Sequence, residues 1–309
     1  MDKPVLEVKN LTKKFGRFTA VDDISFSMEK GEILGFLGPN GAGKTTTISM
    51  LLGVLTPTSG EIRYFDKNLA THREEILEKV NFSSTYTNLP WYLTVKENLT
   101  WVSYLYNIKD RKKKVMEVIE VFKLEEVYKK SIGQLSAGQL TRVNLAKSFL
   151  NSPSIMLLDE PTASLDPDVA EYIRAYLLKE RERLGISVVF TSHNMAEVEE
   201  ICDRVVFINK GKIIANDTPE KLAKTIEISH IELRVEENMN DGIAYLKKQR
   251  IVYRQLSKKY VVIDIKEKDI PNVLRDLMNH NIIYDEISIE KPTLEDYFLQ
   301  MAKEGNANS

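Results

Sequence analysis

The chain has 309 residues, 43% of them apolar and 28% charged, with a formal net charge of −2. That length accommodates one large domain and a smaller one, and that apolar share supports an ordinary packed core. The near-neutral balance argues against bulk nucleic-acid binding, which favours a basic footprint, yet it leaves room for one bound nucleotide.

Cys202 is the sole cysteine, so no internal disulfide can form, and a reducing cytosol fits. The opening MDKPVLEVKN lacks the charged-then-apolar pattern of a signal peptide. No stretch approaches the roughly 18 consecutive apolar residues of a spanning helix, so any membrane role is expected to be peripheral.

In chain order, residues 5–9 and 24–28 read as short strands. Residues 32–37 form a compact apolar run ending at Gly38, as a buried strand does, and 44–55 read as a helix closed by the turn signal Thr56-Pro57-Thr58-Ser59-Gly60. A polar section follows, within which 110–122 carries a helical stripe of Val115, Val118, Ile119 and Phe122. Residues 140–150 form another such stripe, 155–158 a second buried strand, and 170–184 a helix, with strands at 188–191 and 205–208. Strands alternating with helices predict an α/β core with a largely parallel sheet. Composition shifts near Thr225. Beyond it, strands at 231–235, 251–255, 260–265 and 282–287 interleave with helices at 241–249 and 270–279, and a last helix covers 293–302. The β-α-β-β-α-β order predicts a small α+β, ferredoxin-like module.

Gly38-Pro39-Asn40-Gly41-Ala42-Gly43-Lys44-Thr45 fits GxxxxGK[ST] between a strand and a helix, the context that this motif requires. Its glycines let backbone amides wrap phosphates, and the helix start adds partial positive charge. Lys44 is placed to reach the β- and γ-phosphates and Thr45 to ligate Mg²⁺. GTPases, kinases, helicases and transporters share such a cradle. A guanine-reading Asn-Lys-x-Asp is missing, since Asn209-Lys210-Gly211-Lys212 lacks the acid. The apolar strand Ile155-Met156-Leu157-Leu158 ends in Asp159 and Glu160, the first expected to hold Mg²⁺ through water and the second to polarise an attacking water. Leu135-Ser136-Ala137-Gly138-Gln139 opens another helix with a good N-cap and an approachable backbone, a second anion-binding element. Two half-sites on one chain predict head-to-tail pairing of two copies.

These motifs resemble those of ABC transporter nucleotide-binding subunits. GPNGAGKTT is similar to the family's P-loop, LSAGQ to its LSGGQ signature with one Gly→Ala change, IMLLDEPTASLDP to its acidic strand and following loop, and TSHN to its switch-histidine segment. They stand in family order over about residues 5–220. The resemblance implies a P-loop ATPase cassette at 1–225, with a helical subdomain at about 86–150, and an accessory module at 226–309. It implies that Phe15 stacks on adenine, that Lys44, Thr45 and Thr46 contact phosphates and metal, and that Ser136 and Gly138, within 136–139, close over the γ-phosphate of the other copy. Asp166 would bridge the pair, and His193 would contact the γ-phosphate and Glu160. ATP and Mg²⁺ are the implied cofactors. The implied partners are a second copy of the chain and a separate permease at the inner face of the cell membrane, with no nucleic acid. Soluble relatives in translation usually carry two cassettes, and those in DNA repair carry long coiled coils; neither feature is present in the sequence. A nucleotide sensor is disfavoured by Glu160 and His193. The ending Lys291-Pro292-Thr293-Leu294-Glu295-Asp296-Tyr297-Phe298 resembles subunits paired with ABC-2 permeases, many of them exporters.

One departure stands out. Aligning LTVKENL with the family's LTVxENL puts Thr85 where a metal-contacting glutamine is usual, and no glutamine occurs between Lys44 and Ser131. The same region carries both tryptophans, Trp91 and Trp101, with Tyr86, Tyr92, Tyr104 and Tyr106, on the surface where the family docks its permease. The 110–114 charge run reads as a solvated helix face. Replacing Thr85→Gln is expected to change basal ATPase and its stimulation by the partner; identical values in a side-by-side phosphate-release assay would count against altered metal coordination.

Overall fold

The buried apolar runs of the first two-thirds of the chain pair side by side in one sheet. In the computed structural model, which describes residues 3–84 and 89–307, the chain divides into two units, Met1–Pro219 and Glu220–Ser309. The division falls slightly before the composition shift at Thr225.

The first unit opens with a hairpin of β1 (Leu6–Phe15) and β2 (Phe18–Met28), followed by β3 (Ile33–Leu37) and α1 (Lys44–Leu51). Next come β4 (Ser59–Tyr64), β5 (Lys67–Asn68), α2 (Arg73–Leu77), β6 (Val80–Ser84) and the helices α3 (Val95–Ser103), α4 (Arg111–Val121) and α5 (Ala137–Ser148). It closes with β7 (Ile155–Asp159), α6 (Pro167–Leu184), β8 (Ser187–Thr191), α7 (Met195–Ile201), β9 (Arg204–Asn209) and β10 (Lys212–Asp217).

A six-stranded sheet has the order β10-β9-β3-β8-β7-β6. Its pairs are parallel except for β10 on β9 at one edge. β3 and β8 are buried along their whole length, as expected of strands covered on both faces. The second sheet, β2-β1-β4-β5, is antiparallel and was not apparent from the sequence. Residues 5–9 and 24–28 cover only parts of its long hairpin. Register shifts after Val8 and again after Leu11 break the period-2 pattern by which a strand is read. Both sheets contribute to one core, in which Leu6, Val8 and Tyr64 meet Phe36, Met50, Leu157 and Ile208. Tyr64 is fully buried, and its hydroxyl donates to the Leu51 carbonyl at 3.0 Å, satisfying a helix-end acceptor of α1.

Local signals set the helices. Pro167 takes the first turn of α6 and Gly185, at φ 67°, ends it in the left-handed region. Thr94 and Glu97 form a reciprocal capping box at α3, and Asp110 caps α4. The stripe Val115, Val118, Ile119 and Phe122 is buried as its spacing predicts. Among the described residues, no helix is long and apolar enough to cross a membrane.

The division falls at the first residue of α8 (Pro219–Lys224), and the second unit continues with β11 (Ile228–Glu237), α9 (Met239–Lys248), β12 (Val252–Gln255), β13 (Tyr260–Lys266), α10 (Ile270–Asn279), β14 (Ile283–Glu290) and α11 (Leu294–Ala307). Its sheet is antiparallel in the order β12-β13-β11-β14. Ile231, Leu233 and Val235 alternate onto a core shared with Tyr245, Leu246, Val273 and Leu277 of α9 and α10. His230 alternates to the other side of β11, where its Nδ1 lies 2.7 Å from Asp264 Oδ1 on β13 and its Nε2 lies 3.0 Å from Asp296 Oδ1 on α11. Thr293 donates to the other Asp296 oxygen through both its amide and its hydroxyl.

Burial pulls the His230 pKa down, but bonding to the two carboxylates outweighs it, and the net shift is upward. A histidine whose folded value exceeds the unfolded one stabilises fully below about pH 6.5 and loses that contribution as pH rises through the folded value. The stability advantage of the native protein over His230→Gln should therefore be greatest near pH 6 and shrink toward alkaline pH. Hydrogen exchange of the α11 amides measures this; a difference independent of pH would rule it out.

Candidate functional site

The loop between β3 and α1 is pressed so tightly into the fold that side chains are excluded at two places. A Cβ on Gly38 (φ 154°) would lie 2.1 Å from the Ile208 carbonyl oxygen, and one on Gly43 (φ 109°) would lie 2.6 Å from that of Ala20. Both glycines are thus required by close approach as well as by positive φ. Ala42 is buried beneath the loop, its carbonyl accepting from the Gly211 amide at 2.9 Å. Thr47 anchors the first turn of α1, its amide and hydroxyl both donating to the Gly43 carbonyl at 2.9 Å.

A cleft of about 770 Å³ opens over this loop. Pro39, Asn40, Gly41, Gly43, Lys44, Thr45 and Thr46 line one wall, and Asp159, Glu160 and His193 line another. The acids reach it because β7 ends in a turn instead of continuing: Glu160 has φ 52°, in the left-handed region. For a residue with a Cβ this conformation costs about 1–2 kcal/mol. It breaks the alternation that would send consecutive side chains to opposite faces. Thr191, at the end of β8, holds the turn. Its hydroxyl donates to Asp159 Oδ1 at 2.7 Å and accepts from the Glu160 amide at 3.1 Å. His193 meets Glu160 twice, with its amide donating to Oε2 at 3.3 Å and its ring Nε2 lying 3.3 Å from Oε1.

Lys44 donates its ammonium to the Gly38 and Pro39 carbonyls. Burial lowers its pKa, and the nearby charges of Glu160 and Asp159 offset part of that. Burial likewise raises the Glu160 carboxyl above its usual range, against the opposing influence of His193, with Asp159 adding to the rise and Lys44 resisting it.

The ABC transporter family profile matches residues 21–163. A linearmycin resistance ATP-binding protein of Bacillus subtilis is 31% identical over 96% of this chain and 98% of its own length. The chain belongs to the ATP-binding proteins of ABC transporters. It is also 34% identical to a Nod factor export ATP-binding protein of Ralstonia nicotianae, over 71% of this chain and 68% of that protein. A solved dimeric ATP-binding cassette in a post-hydrolysis state, bound to ADP and Pi, superposes with a TM-score of 0.64 at 27% identity, covering 69% of this chain and 98% of that one. The fold is that of the ABC ATPase cassette, and the protein is an ATPase.

The remaining positions read from the ABC motifs stand apart from the cleft. Ser136, Ala137, Gly138 and Gln139 are absent from its lining. Ser136 caps α5, its hydroxyl accepting from the Gln139 amide at 3.2 Å, while Gln139 Oε1 accepts from the Ser136 amide at 3.1 Å. A Cβ on Gly138 would sit 3.0 Å from the Ser164 carbonyl, so the start of α5 lies directly against the loop after β7. Asp166 precedes α6, exposed, without a side-chain capping bond. Gly38 lies behind the cleft, under Ile208. Phe15 does not line the cleft; its cross-strand partner Phe18 does and is 64% exposed. Thr85 and Tyr86 fall outside the described residues. Trp91, Tyr92, Trp101 and Tyr104 are exposed.

Sequence reading missed Thr191, Phe18 and Ser164. Thr191 stood two residues before the histidine in TSHN, a position from which a strand-end hydroxyl can reach the neighbouring strand. Phe18 gave no signal apart from the hairpin turn that pairs it with Phe15.

The raised Glu160 carboxyl fixes a pH dependence. If Glu160 serves as base, the acid limb of kcat/KM for ATP should fall at a pH above the usual carboxylate range near 4.3. A limb at or below that range, measured over pH 4–8, would exclude this role.

Proposed function

We propose that two copies of this chain close on two ATP molecules, hydrolyse them, and thereby drive a separate membrane permease from its cytoplasmic face, in the direction of export. The observation that carries the reading is the division of the motifs. The cradle, the acids and His193 face one cleft, whereas the signature start of α5 lies outside that cleft in its own chain. A second copy, turned head to tail, supplies what the first lacks. The dimeric ADP-bound cassette supports such pairing by likeness, and the names of the linearmycin and Nod factor relatives support export. The cassette of this reading occupies the first unit, with the second unit as an accessory α+β module.

In this reading the loop amides and Lys44 bind the phosphates, with an incoming phosphate competing against the Gly38 and Pro39 carbonyls for the ammonium. Thr45 and Asp159 offer a hydroxyl and a carboxylate, hard oxygen donors that fit Mg²⁺, which when bound supplies charge neutralisation at the β- and γ-phosphates. Glu160 orients and deprotonates the attacking water. His193 fixes the Glu160 carboxylate and reaches the γ-phosphate. Thr46 adds a phosphate contact, Asp166 bridges the copies, and an aromatic of the β1–β2 hairpin, Phe15 or Phe18, stacks on adenine. The contribution is mainly positioning and electrostatics. The exposed tryptophans and tyrosines from Trp91 to Tyr104 provide anchors for the permease.

Glu160→Gln should lower ATP hydrolysis by about 10²–10⁴-fold while ATP still binds, and the ATP-loaded variant should accumulate as a dimer. Phosphate release and light scattering read the two effects. A variant that remains monomeric under saturating MgATP, alone and with its permease, would refute the shared site.

A further inference from the structure

A second cleft, about 560 Å³, adjoins the first and shares Glu160, Ala163 and His193 with it. Its floor holds Glu197, an acid in the first turn of α7 that is 7% exposed. Charged residues are rarely this buried unless paired, and Glu197 is fully engaged. Its Oε2 accepts from the Thr162 hydroxyl at 2.7 Å and from the Ser192 hydroxyl at 3.1 Å. Its Oε1 accepts from Arg174 Nη1 of α6 at 3.0 Å. Arg174 Nε also lies 2.7 Å from Glu200, a charge contact that lacks hydrogen-bond alignment.

The two hydroxyls matter because of where they stand in the chain. Thr162 lies two residues beyond Glu160, and Ser192 immediately precedes His193. The 3.3 Å contacts between Glu160 and His193 are long for hydrogen bonds and are made by two loops on different strands. A single carboxylate oxygen joins those loops from behind. Arg174 supplies the countercharge that permits the carboxylate to be buried there.

We propose that Glu197 is a positioning residue for hydrolysis. Resting on the assignment of Glu160 and His193 above, it ties the loop after β7 to the loop after β8, so that the base and the histidine keep their mutual geometry when the cleft closes. Glu197 does not line the phosphate-loop cleft and acts through Thr162 and Ser192. Its removal loosens the pair without opening the phosphate cradle, and displacement of a reacting group by about 1 Å can cost on the order of 10²-fold in rate.

The test uses the full chain with its permease and compares Glu197→Ala, Glu197→Gln and the near-isosteric Thr162→Val with wild type. Glu197→Ala should lower kcat about 10- to 100-fold, with KM for ATP changed less than about twofold. Glu197→Gln keeps an acceptor for the hydroxyls and should recover part of kcat. Thr162→Val removes one arm only; it should lower kcat by less than Glu197→Ala and leave the thermal midpoint near that of wild type, which separates positioning from unfolding. Unchanged kcat in Thr162→Val, or a loss in Glu197→Ala confined to KM, overturns the proposal. Glu160→Gln in the same assay distinguishes the two levels. If it still hydrolyses ATP at the wild-type rate, the assignment of the base fails and the proposal with it; if it is inactive while the Glu197 and Thr162 variants match wild type, only the positioning role fails.

Discussion

Parallel pairing of three neighbouring strands is the constraint on which the site depends. β3, β8 and β7 run side by side in the same direction, with Leu158 opposite Phe190 and Asp159 opposite Thr191. Their carboxyl ends therefore emerge along one edge, delivering the phosphate loop, the histidine segment and the acid pair to a common cleft. Ligands of open α/β sheets collect at such an edge because the loops that can vary are gathered there over a rigid floor. The floor is rigid because every residue of β3 and β8 is buried.

The geometry at that edge is held by hydroxyls as much as by charges. Thr191 fixes Asp159 and the Glu160 amide, Thr47 fixes the Gly43 carbonyl, and Thr162 and Ser192 converge on Glu197. Each is a short side chain with little rotamer freedom to lose; Thr191 and Thr47 bond backbone groups, and Thr162 and Ser192 bond a buried carboxylate. The charged groups are left with the outward task. Lys44, Asp159, Glu160 and His193 all line the cleft, and burial shifts Lys44 and Glu160 toward their neutral forms.

The legibility of the chain follows from how locally each feature is encoded. The central strands were readable because short apolar runs between turn signals have few other interpretations, and the stripe from Val115 to Phe122 because four residues repeat at helical spacing. The antiparallel sheet was hidden because bulges in β1 shift its alternation and because β4 and β5 lie in polar sequence. At the site, the loop, acids and histidine were visible as spaced residue types. The left-handed turn at Glu160 was not visible, since nothing in a glutamate announces positive φ. Glu197 was hidden for a different reason: an acid in the first turn of a helix ordinarily complements the helix dipole from the surface, and only the fold reveals that this one is enclosed by Thr162, Ser192 and Arg174.

The cap on α5 carries a chemical asymmetry. The Ser136 hydroxyl oxygen is engaged by the Gln139 amide, but its proton remains free to be given away. Aspartate would start this helix equally well, yet it would bring a full negative charge and no proton, and would repel any phosphate oxygen presented to it. Serine serves the helix as an acceptor and keeps a donor on the same atom, which the proposed shared site would use.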